Sequence, residues 1–228
     1  MSNNPEAPRK LAFLHTSHVL IPLFTQLAKE HLPGIETFHM TDESLIRNTI
    51  AAGRLTPNTI RRVAAMIGLA HDGGADAVMV TCSSIGHATA LARSQYDFPV
   101  LRIDEALADT AVAAGTRSGV AATLRTTLNP TLELLRETAA RAGREVELIP
   151  ALAAGAFEAV LAGDTKRHDE LLLAALLGLQ GRVDVIVLAQ ASMARVAALL
   201  PENSGPPMLS SPVMAMRRAA AVLGSMTA

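Results

Sequence analysis

The sequence predicts an α/β protein of two pseudo-symmetric lobes, each a four-stranded parallel sheet flanked by helices, with an active-site cleft between them. Three observations carry this. Short apolar runs alternate with helical patterns along the chain, as strands of a parallel sheet covered on both faces do. The two halves match at one offset: Asp76 with Asp184, Pro22 with Pro130 and Pro99 with Pro207 all lie 108 residues apart, which argues for an internal duplication. Half of the 228 residues are apolar, mostly Ala, Leu and Val with 3% aromatics, a composition suited to close helix-on-sheet packing.

The elements follow in order. LAFLH, IETFHM, DAVMVTC and PVLRI are the strands expected of the first lobe; GVAAT, EVELIPAL, DVIVLAQ and PMLSS are those of the second. NTIRRVAAMIGLAHDG and DELLLAALLGLQG carry helical spacing, and AAGRLTPN matches LAGDTKRH with a further shift of two residues. The lobes are expected at 1–104 and 105–211, with a linker near 111–119 and a C-terminal helix, 212–228, packing on the first lobe. Right-handed crossovers would join the strands of each lobe.

Composition narrows the function. A net charge of -1 and mixed charges give no basic patch, so no nucleic-acid partner is expected. The start, MSNNPEAPRK, lacks the chemistry of a signal peptide, and runs such as LLLAALLGL are too short to span a bilayer. Cys82 is the only cysteine, which excludes an intrachain disulfide and fits a cytoplasmic protein without a membrane partner. GGADA and AAGTRSG lack the spacing of a nucleotide-binding loop.

Ligands of open α/β sheets bind beyond the carboxyl ends of the strands. Cys82 stands at such an end, followed by Ser83, Ser84 and a helix. It is either a small buried hydrophobe or a thiol whose anion the helix N-terminus stabilises. The serines either cap that helix or, with its free N–H groups, hold a carboxylate. Gln190, Ala191 and Ser192 occupy the matching segment, where Ser192 is the expected cap. The Gln190 amide either satisfies loop backbone or bonds a substrate oxygen. Thr123, Thr126 and Thr127 follow GVAAT and serve either the turn or an anion. His15 and Thr16 end the first strand, with His15 facing substrate; His18 starts a helix. The two histidines lack further ligands, so no metal is expected. Asp42, Glu43 and Ser44 are read as a helix cap and first turn, as is Asp104-Glu105. The repeat pairs His15 with Thr123, His18 with Thr126, Cys82 with Gln190 and Ser84 with Ser192.

These segments resemble the aspartate/glutamate/hydantoin racemase superfamily. VTCSSIG resembles its first cysteine motif, GVAATLRTT its Gly-x-x-Ala-Thr-x-x-Thr segment, and VIVLAQASMA its second cysteine motif. The resemblance implies chemistry without cofactor or metal, in which two cysteines flank a carbon next to a carboxyl or carbonyl group. Cys82 matches the first; Gln190 stands where the second would be. It therefore implies an isomerase acting by proton transfer or thiol addition on a small carboxylate, with Cys82 catalytic. His15, Thr16, Ser83, Ser84, Thr123, Thr126, Gln190, Ala191 and Ser192 would bind the substrate. A decarboxylase of substituted malonates and a non-catalytic carboxylate-binding module are the alternatives. A homodimer is implied by the resemblance alone.

Overall fold

The computed structural model describes residues 8–200 and 205–226. Residues 1–7 of the polar start and the last two residues of the expected C-terminal helix lie outside the described residues. The strands are β1 (Lys10–His15), β2 (Glu36–Thr41), β3 (Ala77–Val80), β4 (Val100–Arg102), β5 (Arg117–Ala122), β6 (Glu147–Leu152), β7 (Val185–Leu188) and β8 (Met208–Ser210). The helices are α1 (Ile21–His31), α2 (Glu43–Ala52), α3 (Pro57–Asp72), α4 (Gly86–Arg93), α5 (Glu105–Ala114), α6 (Arg125–Arg141), α7 (Ala156–Leu161), α8 (Thr165–Leu177), α9 (Ala194–Ala197) and α10 (Ser211–Ser225). Each of the eight apolar runs forms a strand. They build two all-parallel sheets, ordered β2-β1-β3-β4 and β6-β5-β7-β8.

The chain divides into two compact units, one ending at Ile103 and resuming at Pro212, the other spanning Asp104–Ser211. In the first unit, alternation along β1 and β3 sends Leu11, Phe13, Ala77 and Met79 to one face, against α1 and α10. Ala12, Leu14, Val78 and Val80 go to the other, against α2, α3 and α4. In the second unit, Ala121, Ile186 and Leu188 pack against α7, α8 and α9. There α5 and α6 bury Leu107, Ala111, Leu128, Leu132 and Leu135.

The aspartates that mark the repeat have a structural task. Asp76 accepts from the Lys10 N–H at 2.7 Å, and its other oxygen takes Arg9 at 3.2 Å. Asp184 accepts from the Thr116 and Arg117 N–H groups at 3.0 and 2.9 Å. In both units a carboxylate just before the third strand ties down the start of the first.

The repeat offset is not uniform. Ala77 pairs with Leu11, whereas Val185 pairs with Ser118. With β3 and β7 matched at 108, Leu11 is therefore equivalent to Ser118 and Thr16 to Thr123, an offset of 107 (118 − 11). This corrects the pairing of His15 with Thr123. The prolines also differ locally: Pro22 is in the first turn of α1, while Pro130 lies inside α6, which starts a turn earlier relative to its strand. The expected linker at 111–119 is instead the end of α5 and the start of β5.

Candidate functional site

In the first unit the chain leaves β3 through Thr81 and Cys82. Cys82 is extended (φ -126°, ψ 115°) and caps a three-residue 3₁₀ turn, Ser83–Ile85, that leads into α4. The Ile85 N–H closes the turn on the Cys82 carbonyl at 3.2 Å. Ser83 and Ser84 lie inside this turn, both buried, and neither side chain caps a helix. This corrects the capping role expected of them: the extra turn moves the start of α4 to Gly86. A Cβ at Gly86 would sit 2.5 Å from Nη2 of the buried Arg102, so any larger residue there would have to move that guanidinium.

Cys82 is half-buried, and the protein packed around its thiol governs its proton. Burial pushes the thiol above its ordinary value. The Thr16 side chain, the Ser84 and Ile85 backbone and the Ser84 side chain pull in the opposite direction. Burial therefore opposes the depression that a helix N-terminus alone would produce, while hydrogen-bonding groups from Thr16, Ser84 and Ile85 are arranged to receive negative charge.

The second unit repeats this construction. Gln190 is extended (φ -131°, ψ 137°) and caps the 3₁₀ turn Ala191–Met193, which leads into α9. The Met193 N–H closes on the Gln190 carbonyl at 3.1 Å. Ser192 is exposed inside that turn and does not cap α9, a second correction with the same cause. Thr123, buried at the end of β5, donates to Gln190 Oε1 through its N–H at 2.7 Å and its hydroxyl at 2.9 Å. An N–H donor requires the amide oxygen at that position, so the amide NH₂ with its two donors points the other way. Thr16 beside Cys82 and Thr123 beside Gln190 are equivalent residues performing equivalent contacts. The Thr126 hydroxyl, at the start of α6, is buried without a protein partner.

His15 does not meet the expectation of a substrate-facing imidazole near neutrality. Its ring is fully buried and both nitrogens are engaged, with Thr81 Oγ1 at 2.8 Å and His39 Nδ1 at 2.8 Å. Burial first, and the neighbouring His39 second, lower its pKa from 6.5 to about 4. His18 starts a short 3₁₀ turn and bonds Glu43, while Asp42 caps α2 by accepting from the Ser44 N–H at 3.0 Å. No group of three or more metal-ligating side chains occurs among the described residues. No helix among them is long and apolar enough to cross a membrane.

The profile of the Asp/Glu/hydantoin racemase family matches residues 15–219. The chain belongs to this family. That places it among racemase-type isomerases, and it carries the family's two-lobed α/β fold. Among solved structures it resembles glutamate racemase from Francisella tularensis subsp. tularensis SCHU S4, crystallised with D-glutamate. The identity is 13%, the TM-score 0.75, and the match covers 96% of this chain and 82% of that one. It also resembles allantoin racemase from Klebsiella pneumoniae, with 17% identity, TM-score 0.62 and coverage of 96% and 90%. A third is the Picrophilus torridus aspartate racemase, with 13% identity, TM-score 0.68 and coverage of 93% and 94%. No curated protein matches the chain.

Thr81, His39 and Thr25 were not singled out by the residue pattern. Thr81 directly precedes Cys82, which was a usable signal; the other two reach the site only through strand register and helix packing.

Proposed function

We propose that this racemase-family protein is a cofactor-independent enzyme that exchanges, on one face, the proton next to the carboxyl group of a small carboxylate, with Cys82 as its single thiol. The hydrogen-bonding environment of Cys82 carries the reading: four protein groups from Thr16, Ser84 and Ile85 are arranged to support negative charge on a sulfur that burial otherwise keeps neutral. The thiol gives its proton to solvent as substrate enters, and the thiolate left behind is already solvated by these groups. The thiolate takes the proton from carbon, and the C–H electron pair passes to the carboxyl or carbonyl group as an enolate. Donors fixed before the reaction stabilise that charge most effectively. Gln190 offers two N–H donors from an amide locked by Thr123, and Ser83, Thr126 and Ser192 offer hydroxyls, while those of Thr123 and Ser84 hold Gln190 and the Cys82 sulfur in place. Ala191 contributes the turn between them.

Gln190 has no dissociable proton, so Cys82 must return the proton to the face from which it came. The expected outcome is exchange with solvent and retained configuration. A second reading is decarboxylation of a substituted malonate, in which a thiol whose pKa burial raises donates the proton to the enolate formed by loss of carbon dioxide. Screening amino acids, hydantoins and 2-substituted malonates for solvent deuterium incorporation separates these. Incorporation into amino acids or hydantoins supports the proton-exchange reading; incorporation only into malonate products, with loss of carbon dioxide, replaces it; no incorporation anywhere would leave a carboxylate-binding module.

A further inference from the structure

A partly buried hydrogen-bonded chain in the first unit ends on the residue before Cys82 and takes no part in the chemistry above. It links Thr25 of α1, His39 of β2, His15 of β1 and Thr81, the residue before Cys82. Thr25 Oγ1 donates to the Ile21 carbonyl at 2.8 Å and lies 3.0 Å from His39 Nε2. His39 Nδ1 lies 2.8 Å from His15 Nε2, and His15 Nδ1 lies 2.8 Å from Thr81 Oγ1. The two imidazoles stack at 5.1 Å, and Phe13 and Phe24, both fully buried, stand within 5.4 Å of them.

Hydrogen bookkeeping lets this chain run in either direction, because both end hydroxyls also reach a backbone carbonyl, Thr25 that of Ile21 at 2.8 Å and Thr81 that of Leu14 at 3.2 Å. In one direction Thr25 gives its proton to Ile21 and accepts from an Nε2–H of His39, His39 Nδ1 accepts from an Nε2–H of His15, and the Thr81 hydroxyl donates to His15 Nδ1. In the other, Thr81 gives its proton to Leu14 and every donor and acceptor along the chain is exchanged. Every member is satisfied with both rings neutral, the state that burial favours for both. His15 thus grips Thr81 through its ring, while its chain neighbour Thr16 bonds the Cys82 thiol. The imidazole thus holds Thr81, Thr16 follows it directly in the chain, and His39 holds that imidazole in place.

We infer that His39 is a positioning residue: through His15 it fixes Thr81 and Thr16, and thereby the hydrogen-bond environment of the Cys82 thiol. The consequence for turnover rests on the proposed role of Cys82; the consequence for the thiol itself does not. In His39→Phe the His15 Nε2 loses its hydrogen-bond partner in a buried site, and the grip on Thr81 loosens. In His39→Gln the amide oxygen and NH₂ serve His15 and Thr25 in either direction, so the chain survives.

Cys82 is the only cysteine, so iodoacetamide alkylation of the native protein reports on it alone. The rate is measured across pH, where the midpoint reports thiolate formation and the plateau reports access. His39→Phe is expected to move the midpoint upward by about one unit, or about tenfold in rate at fixed pH, as loss of one supporting hydrogen bond does. His39→Gln is expected to keep the wild-type midpoint. Unchanged midpoints in both variants, even with altered thermal stability, would reduce His39 to a structural residue and overturn the inference, as would equal shifts in both. Should His39→Phe not fold, Thr25→Val removes only the far partner. It is expected to shift the midpoint in the same direction, and no shift there is equally fatal. Alkylation needs no substrate, so this test and that of the proposed reaction fail independently.

Discussion

Replacing Gln190 separates its two tasks. Its Oε1 accepts from the N–H and hydroxyl of Thr123, at 2.7 and 2.9 Å, and Thr123 is buried. Gln190→Leu leaves both donors without a partner. At about 0.5–1.5 kcal/mol for each hydrogen bond, the loss is about 1–3 kcal/mol. For a chain of this length that corresponds to about 3–10 °C in Tm. Gln190→Glu keeps both bonds and makes them charge-assisted, so its melting temperature should stay near wild type. Both variants remove the amide NH₂. If those donors hold an enolate oxygen, exchange next to the carboxyl group should fall by about 100-fold or more in each, since a lost oxyanion donor costs that much. The fall should be larger for Glu, whose charge repels a carboxylate. Melting by circular dichroism and deuterium exchange by mass spectrometry measure the two effects on the same samples. A Leu variant as stable as wild type would refute the locking of Gln190 by Thr123. A Glu variant exchanging at the wild-type rate would refute its role toward substrate.

Two further predictions follow from the first unit. The pKa of His15 falls from 6.5 to about 4 on folding, so the unfolded chain binds the extra proton between those values. Stability from this group is therefore complete above pH 6.5 and is lost as pH falls toward 4, by about 3 kcal/mol at 1.36 kcal/mol per unit. Denaturant titrations of wild type and His15→Gln should differ by that amount across this window, and parallel pH dependences would contradict it. Gly86→Ala drives a Cβ to 2.5 Å from the buried Arg102 guanidinium and should cost about 1–3 kcal/mol, as overpacking does. Gly224→Ala, with nothing within 4 Å, should cost nothing in the same melts.

The parts of the molecule that were legible in the sequence are those whose physics is local. Eight strands showed as apolar runs because parallel strands covered on both faces have no polar side to interrupt the run. Asp76 and Asp184 marked the duplication because each performs the same tether at the same point of its unit. Cys82 and Gln190 occupy equivalent positions, each capping a 3₁₀ turn after the third strand. What depends on register was not legible. A constant offset paired His15 with Thr123, whereas the sheet pairing makes Thr16 the counterpart, because the second unit carries one more residue between its first and third strands. The caps expected of Ser83, Ser84 and Ser192 failed because a 3₁₀ turn intervenes before each helix. His39 was invisible because its partner on β1 is set by strand pairing and its partner on α1 by helix packing.

The central claim is that one thiol moves the proton on one face of the substrate carbon. The most direct test is solvent deuterium exchange on an accepted substrate, followed by chiral analysis, with wild type and Cys82→Ala side by side. The account predicts exchange with retained configuration in wild type. It predicts a loss of about 100-fold or more in a folded Cys82→Ala protein, the contribution a positioned acid–base group makes. Inversion at the rate of exchange in wild type, or undiminished exchange without Cys82, would contradict it.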